Sequence, residues 1–442
     1  MIYLTSKLRS LIFYVVDGFK GFPIKGHQRE LLKYQEKEDV HSLVAHSNEK
    51  IVKLLTHAKS HVPYYMNQIG LETLSDFPVI TKPSIQENFN DFISSLHRNQ
   101  KKIKVSTSGS TGIPFFLYWG QGKKKRNSAD TLFYLKKAGY NLGEKLVFIG
   151  ATSSIGKEQT LKRKLENFQY FNLKSVNEAQ IKVILENLAN SSFPQTIVGY
   201  ASNLEYIAQY IEQNKLEQFR SIKIKAVVAI AEALSDYTKH FFMSYFGVRI
   251  LSRYSSQEVG ILAQQSLHEK GNDFEVNWAS YHMEILKIDS DEPAEEGEIG
   301  RIVVTDLYNY MMPIIRYDTG DLSYFLDKVT VHNPFPKLTK IQGRRIDAVY
   351  DTKGKQVSSL FIDNQFYPYF DRIKQFQFIQ SGLKEYLIKL NMFSGICDFE
   401  EELIAEVRSN FGDDAKVSIE LVEEIPVLAS GKRKKVKNDY HK

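Results

Sequence analysis

The nine residues Ser106-Thr107-Ser108-Gly109-Ser110-Thr111-Gly112-Ile113-Pro114 gather five hydroxyls and two glycines between two apolar runs, KKIKV and FFLYW. A loop of this kind can wrap an anion. Backbone N–H groups and hydroxyls reach phosphate oxygens, and glycine allows the backbone angles and close approach that this needs. The same composition also serves a plain solvated turn, and the loop alone does not choose between the two. It lacks the Gly-Lys-Ser/Thr ending of a Walker A sequence, so it is not that P-loop. Four more polar clusters lie downstream, each on an apolar strand-like run or a turn after one. They are RYSSQEVG (253–260), MPIIRYDTGD (312–321), IQGRRID (341–347) and SGKRKK (430–435). Among them they offer the carboxylates of Glu258 and Asp321, the guanidinium of Arg344 and the ammonium of Lys432. The histidines are assigned to surface or core by default, with no metal site expected among them.

The elements that must position these groups follow from the hydrophobic pattern. In the first half, helical and strand patterns alternate. Ile51, Leu54, Leu55 and Ala58 share one helical face, as do Leu204, Ile207, Ala208 and Ile211. Between the helices lie the short apolar runs KLVFIG (145–150), TIVGY (196–200), KAVVAI (225–230) and VRILSR (248–253). This alternation predicts α/β layers with largely buried strands. From about 280, YHMEILKI and RIVVTDL alternate as β-strands do, around the acidic DSDEPAEEGEIG, which reads as a hairpin or loop. After about 348 the order is turn, strand (FQFIQ), strand (EYLIKL), helix (DFEEELIAEVRSNFG) and strand (KVSIELV), a small α+β unit.

A chain of 442 residues exceeds one ordinary core, so two or more domains are expected. Apolar content of 43% suits a soluble globular protein. The net charge of +6, from 58 basic against 52 acidic residues, is small and dispersed, and no nucleic-acid partner is expected. The single cysteine, Cys397, excludes a disulfide framework and fits a cytoplasmic location. No run approaches the roughly 20 apolar residues that cross a bilayer. Near the start, Lys7 and Arg9 precede the apolar run Leu11–Val16, which is short for a signal peptide and has no small-residue cleavage site after it. The first reading is an amphipathic helix packed on the main body. Peripheral attachment to a membrane surface is the second.

Taken in this order and at these separations, the five polar segments resemble the core motifs of the adenylate-forming (ANL) superfamily. They are closer still to its phenylacetate-CoA ligase and CapK-like branch. LLTHAKSHVPYY (54–65), FPVITKPSIQENF (77–89) and VGYASNLEYIA (198–208) resemble further segments of that branch, so the likeness runs from about 50 to 435. It implies an α/β fold: a large N-terminal domain of layered mixed β-sheets and helices, and a small mobile α+β C-terminal domain. The expected division is an N-terminal helical extension over 1–45, the large domain over 46–342, a hinge over 343–347 and the small lid over 348–442.

The reaction that the resemblance implies has two halves. A carboxylate attacks the α-phosphate of ATP, giving an acyl-adenylate and pyrophosphate. A second nucleophile, usually a thiol, then takes the acyl group and releases AMP. The first half brings two anions together, so fixed positive charge and donors are needed around the phosphates, with the reactants held in line. By the resemblance, Ser106–Gly112 is the phosphate loop, with Thr107, Ser108, Ser110 and Thr111 as donors and Gly109 and Gly112 letting the backbone fold round. Tyr254 packs near adenine, with Ser255, Ser256 and Gln257 beside it, and Glu258 meets Mg²⁺. Gln257 departs from the usual Thr or Ser at the α-phosphate. Asp321 accepts from the ribose hydroxyls. Arg316 and Tyr317 shape the turn before it, and Thr319 and Gly320 set its backbone. Arg344 reaches ribose or phosphate. Asp347 takes the hinge role, although Ile346 fills the usual hinge slot. Lys432 bridges carboxylate and α-phosphate, its other reading being a solvated basic tail with Arg433, Lys434, Lys435 and Lys437. Lys82 reads equally as a pyrophosphate contact or a surface lysine.

Tyr200, Ala201, Ser202, Ala229, Ile230, Ala231 and Glu232 are the candidates for the acyl group. Residues 229–233 are read as leaving a strand and beginning a helix, a place where α/β folds bind ligands. Glu232 there meets a substrate amine or hydroxyl, caps the helix, or touches the surroundings of adenine. The cofactors implied are ATP and Mg²⁺, with coenzyme A as the default thiol acceptor. An amine acceptor, a role in surface polysaccharide biosynthesis and a homodimer all stay open. The competing reading is a catalytically impaired nucleotide-binding homologue, for which the residues at 257 and 346 are the supporting features.

Overall fold

The computed structural model describes residues 2–37, 39–107, 115–150, 167–173, 178–267, 271–327, 329–344, 349–357, 362, 365–426 and 434–440. The chain begins with α1 (Ile2–Gly18), α2 (Pro23–Glu36), α3 (Val40–His61), the single turn α4 (Pro63–Met66) and α5 (Lys82–Glu87). β1 (Ile103–Thr107), β2 (Phe115–Trp119) and α6 (Gln121–Lys137) follow. Next come β3 (Lys145–Gly150), β4 (Phe168–Asn172), α7 (Glu178–Ala189), β5 (Gln195–Tyr200), α8 (Ala201–Gln213), β6 (Ile224–Ile230) and α9 (Asp236–Phe246). Then come β7 (Ile250–Ser256), β8 (Gly260–Gln264), β9 (Glu275–Val276), β10 (Tyr281–Leu286), β11 (Gly300–Asp306), β12 (Tyr317–Phe325) and β13 (Leu338–Arg344). The last part holds β14 (Val349–Tyr350), β15 (Gln356–Val357), β16 (Ile373–Gly382), β17 (Glu385–Met392), α10 (Glu400–Phe411), β18 (Lys416–Leu421) and β19 (Val436–Asn438). Two compact units result: Met1–Gly143 with Arg253–Ile341, and Glu144–Ser252 with Gln342–Lys442.

In the first unit, antiparallel strands in the order β10-β11-β12-β13 form one sheet, and β1 pairs antiparallel with β2. The acidic segment expected as a hairpin or loop joins β10 to its antiparallel neighbour β11. Leu54, Leu55 and Ala58 of α3 pack with Phe115 and Leu117 of β2 and with Ile302 and Val304 of β11 in one core. Charges are buried here too. Lys123, Arg126 and Asp130 on α6 have no exposed surface. Such charges are tolerable only when paired. Lys123 pairs with Asp306 at 2.7 Å, Arg126 with Glu30 at 2.6 Å, and Asp130 accepts from Ser280 Oγ. Glu30 on α2 also pairs with Lys50 on α3, so this network ties the N-terminal helices to α6. Burial alone would raise the Glu30 carboxyl, but Arg126 and Lys50 outweigh it and bring it down to about 2.

In the second unit, β4, β3, β5, β6 and the first part of β7 lie parallel, in that order. Every residue of β5 is buried, as a parallel strand covered on both faces requires. β16 and β17 form an antiparallel hairpin flanked by the parallel strands β19 and β18. One continuous core runs from β5, α8 and α9 to β16, β17 and α10. The observed mixed α/β layers match the expected class, and the apolar runs listed above form β3, β5, β6 and β7. One detail differs. Residues 229–233 do not begin a helix. α9 starts at Asp236, because Ser235 is the residue whose side chain accepts from the Thr238 N–H and caps it.

Candidate functional site

In the first unit, four segments far apart in sequence meet around Glu258. The FPVITKP segment runs beside β12: Ile80 N–H donates to Arg316 O, and Asp318 N–H donates to Ile80 O, both at 2.9 Å. Thr81 caps α5 and places Lys82 in its first turn. The Lys82 ammonium then lies 2.9 Å from Glu258 Oε1, and the Tyr317 hydroxyl donates to the same oxygen at 3.1 Å. Trp119 Nε1 donates to the backbone carbonyl of Glu258 at 2.8 Å, and Lys82 sits over the Phe115 ring at 5.6 Å. Phe115 pairs with Thr107 across the β1–β2 hairpin, so the ends of the hydroxyl-rich loop are held next to this pair. Lys82 is therefore not a plain surface lysine. Burial pushes the Glu258 carboxyl up, yet the Lys82 charge and hydrogen bond overcome it and hold the group below its usual range.

Asp321 lies on the same strand as Tyr317. The Tyr254 hydroxyl donates to Asp321 Oδ2 at 2.7 Å and lies 3.1 Å from Thr319 Oγ1. Burial, then the Asp321 charge, raise the Tyr254 hydroxyl well above its usual value, so it stays a proton donor. A carboxylate's two oxygens offer about four acceptor sites, as accepting from a ribose diol requires. The segment before Asp321, expected as a turn, is a bend at Arg316 that leads straight into β12. Arg316 is buried, adopts φ 49°, and donates to Glu284, to Ser75 O and to Phe77 O. Gly320 has φ +82° and donates its N–H to Asp318 Oδ1 at 2.8 Å, a backbone angle that glycine takes without steric cost.

Of the other expected nucleotide residues, Ser106 is exposed at the end of β1, and Ser255 is half-buried on β7. Ser256 Oγ accepts from Val259 N–H at 3.2 Å, and Gln257 is exposed. Ser108, Gly109, Ser110, Thr111, Gly112, Ile346, Asp347 and Lys432 lie outside the described residues, and so do the side chains of Thr107 and Arg344. A single carboxylate at Glu258 suits Mg²⁺, which keeps waters and takes its other ligands from substrate phosphates. Among the described residues no three His, Cys, Asp or Glu side chains group as a metal site. His57 and His61 do stand four apart on α3, a spacing the sequence reading passed over, but His57 Nε2 is bonded to Tyr310 O at 3.0 Å.

The acyl candidates belong to the second unit. Tyr200 ends β5, Ala201 and Ser202 open α8, and Ala229 and Ile230 end the neighbouring β6. Glu232 Oε2 accepts from Ser202 N–H at 3.0 Å. It thus caps a helix, as one reading allowed, but the helix is α8 and not the one that follows it. Ala231 has φ 77°, a left-handed conformation that costs a non-glycine residue roughly 1–2 kcal/mol. Such strain is often stored at functional sites. Lys435, which the alternative reading placed in a solvated tail, pairs with Glu205 of α8 at 2.8 Å and lies over the Phe370 and Phe376 rings.

The chain resembles known proteins over most of its length. The family model described as the CapK C-terminal domain matches residues 349–439. Protein CapK of Staphylococcus aureus is 24% identical over 441 residues, covering 93% of this chain and 92% of that one. The phenylacetate-coenzyme A ligase of Pseudomonas putida is 24% identical over 338 residues, 72% of this chain and 74% of that one. A crystal structure of 2-hydroxyisobutyryl-CoA ligase in complex with 2-HIB-AMP, in the postadenylation state, has a TM-score of 0.70 at 16% identity and covers 89% of both chains. The chain is homologous to CapK and to phenylacetate-CoA ligases, and it has the fold of the adenylate-forming CoA ligases. These homologues include two phenylacetate-coenzyme A ligases.

Proposed function

We propose that this homologue of CapK and of the phenylacetate-CoA ligases is itself an AMP-forming ligase, which activates a carboxylic acid with ATP and passes the acyl group to coenzyme A. The observation that carries the reading is the meeting of Lys82, Glu258, Tyr317, Tyr254 and Asp321, drawn from separate polar segments, beside the base of the hydroxyl-rich loop. Asp321 takes the ribose, with Tyr254 fixing its carboxylate. The loop 106–112 and Lys82 face the phosphates. Glu258 is the carboxylate for Mg²⁺, which when bound neutralises phosphate oxygens. Lys82 keeps Glu258 ionised, the state that a cation requires. Lys432 supplies the charge that acts on the carboxylate and α-phosphate together, so its loss should lower rate more than binding. Arg344 adds a contact to ribose or phosphate.

The acyl group takes the ends of β5 and β6, around Tyr200, Ser202, Ala231 and Glu232, where parallel α/β sheets bind ligands. A lid over 348–442 turning on 343–347 between the half-reactions belongs to the same proposal, as does a place in surface polysaccharide biosynthesis. The test is carboxylate-dependent exchange of pyrophosphate into ATP, screened over aryl acids, short acids, amino acids and sugar acids. Exchange with one class, reduced at least about 100-fold in Asp321→Ala and in Lys432→Ala, is expected. ATP binding without exchange for any acid would favour the impaired homologue. Release of AMP that requires coenzyme A, and not an amine, would fix the acceptor.

A further inference from the structure

α1 is amphipathic in the reverse sense to a helix that packs by burying its apolar face. Leu8, Leu11, Ile12, Val15 and Val16, with Phe19 just beyond the helix, are between 46% and 88% exposed. At 3.6 residues per turn they occupy an arc of about 140°. The opposite face carries Ser6, Ser10 and Asp17 together with the half-buried Phe13, and it is the one held by the protein. Ser6 and Asp17 are buried, and Arg9 donates to Gly143 O at 3.4 Å. Tyr14 donates to Gln28 at 2.9 Å, and Asp17 accepts the N–H groups of Ile24 and Lys25 at the start of α2. The backbone packs closely here: a Cβ on Gly143 would lie 2.3 Å from Ser6 O. The inward orientation is thus fixed by specific bonds, and the apolar stripe is left facing outward. Phe22, at the turn into α2, extends the stripe and is 49% exposed. Exposed apolar side chains gathered on one helix face, rimmed by polar residues, mark a docking surface.

We propose that this stripe docks α1 flat onto an anionic lipid surface. The charge around it chooses the occupant. Lys7, Lys20, Lys25, Arg29, Lys33 and Lys37 are all exposed along the same helical pair. Of the acids there, Asp17 is buried and Glu30 is paired inward with Arg126 and Lys50, which leaves Glu36 and, past Lys37, the exposed Asp39. Apolar side chains with a basic surround fit acyl chains beneath acidic headgroups. The same excess of positive charge opposes a second copy of α1 on this face. No helix among the described residues is long and apolar enough to cross the membrane, so the contact is interfacial.

The test is co-sedimentation of the full chain with vesicles of phosphatidylcholine and phosphatidylglycerol, about 7:3, against pure phosphatidylcholine, at low and high salt. Binding to the anionic vesicles is expected, weakened by salt. The triple variant Leu11→Gln/Ile12→Gln/Phe19→Gln should lower the vesicle partition constant at least about tenfold. Lys20→Gln and Lys33→Gln should each lower it about fivefold. An unchanged circular dichroism spectrum and urea midpoint would show that these exposed changes leave the fold intact. Failure to bind anionic vesicles, equal binding to both vesicle types, or equal binding by the triple variant would each overturn the proposal. So would a dimer in solution that the triple variant splits, since a second copy would then cover the stripe.

Discussion

Replacing Lys82 with methionine keeps the apolar stem and removes the ammonium from Glu258. The pair is 2.9 Å apart, with side chains 25% and 6% exposed. At an effective dielectric constant of about 20 the gross attraction is about 6 kcal/mol, much of it offset by desolvation. Breaking a fully buried pair costs about 3–5 kcal/mol. Solvent reaching Lys82 brings the expected penalty to about 2–3 kcal/mol at pH 7. The pH dependence is the sharper signature. In the parent the Glu258 carboxyl is held below 4.5, so it contributes stability above pH 4.5 that is lost as pH falls through the folded value. In Lys82→Met the burial that pushes the carboxyl up is opposed only by a hydrogen bond from the Glu258 backbone and by the Tyr317 hydroxyl. The folded value then rises above 4.5, the ionised group destabilises the fold at neutral pH, and lowering the pH relieves it.

The penalty should therefore be largest at pH 7–8 and shrink toward pH 5. Urea midpoints read by tryptophan fluorescence suit the measurement. Both tryptophans, Trp119 and Trp278, lie in the first unit, and Trp119 bonds to the carbonyl of Glu258 itself. Lys82→Met/Glu258→Gln should recover about 1–2 kcal/mol, because it removes the unpaired buried charge. A penalty independent of pH, together with a double variant as unstable as the two single changes summed, would refute the reasoning.

Three further outcomes follow from the geometry. Tyr254→Phe removes the donor to Asp321, a bond to a charged group worth about 1.5–3 kcal/mol, so the KM for ATP should rise about tenfold with a smaller change in kcat. Ala231→Gly should stabilise the second unit by about 1 kcal/mol by relieving φ 77°, read as a rise in thermal midpoint. Glu30→Gln should cost about 2–3 kcal/mol at pH 7. With its carboxyl held at about 2, Glu30 contributes stability that is complete above pH 4.5 and lost as pH falls toward 2, so the variant's urea midpoint should vary less over that range.

Much of the fold could be read locally. β5 and β6 are apolar runs because parallel strands are covered on both faces, and α8 shows its buried side at Leu204, Ile207, Ala208 and Ile211 because helical period and burial coincide. The start of α9 was misplaced because a strand end followed by small residues looks like a helix entry, whereas the cap that opens the helix is Ser235. Tyr254, Glu258 and Asp321 were picked out by the order of their motifs. Tyr317, expected only to shape a turn, proved to be a direct partner of Glu258.

The succession of strands and helices is legible from the chain alone, since it is written in residue type and spacing over short windows. Only the tertiary structure decided what the long charged side chains do and which way α1 faces. Lys82 and Lys435 reach carboxylates remote in sequence, and an identical stem in water would have read as surface. Amphipathicity marked α1 as a helix with two faces. Bonds from Arg9, Tyr14 and Asp17 turned the polar one inward, because partner groups fixed elsewhere in the fold outweigh the preference of an isolated apolar stripe for burial.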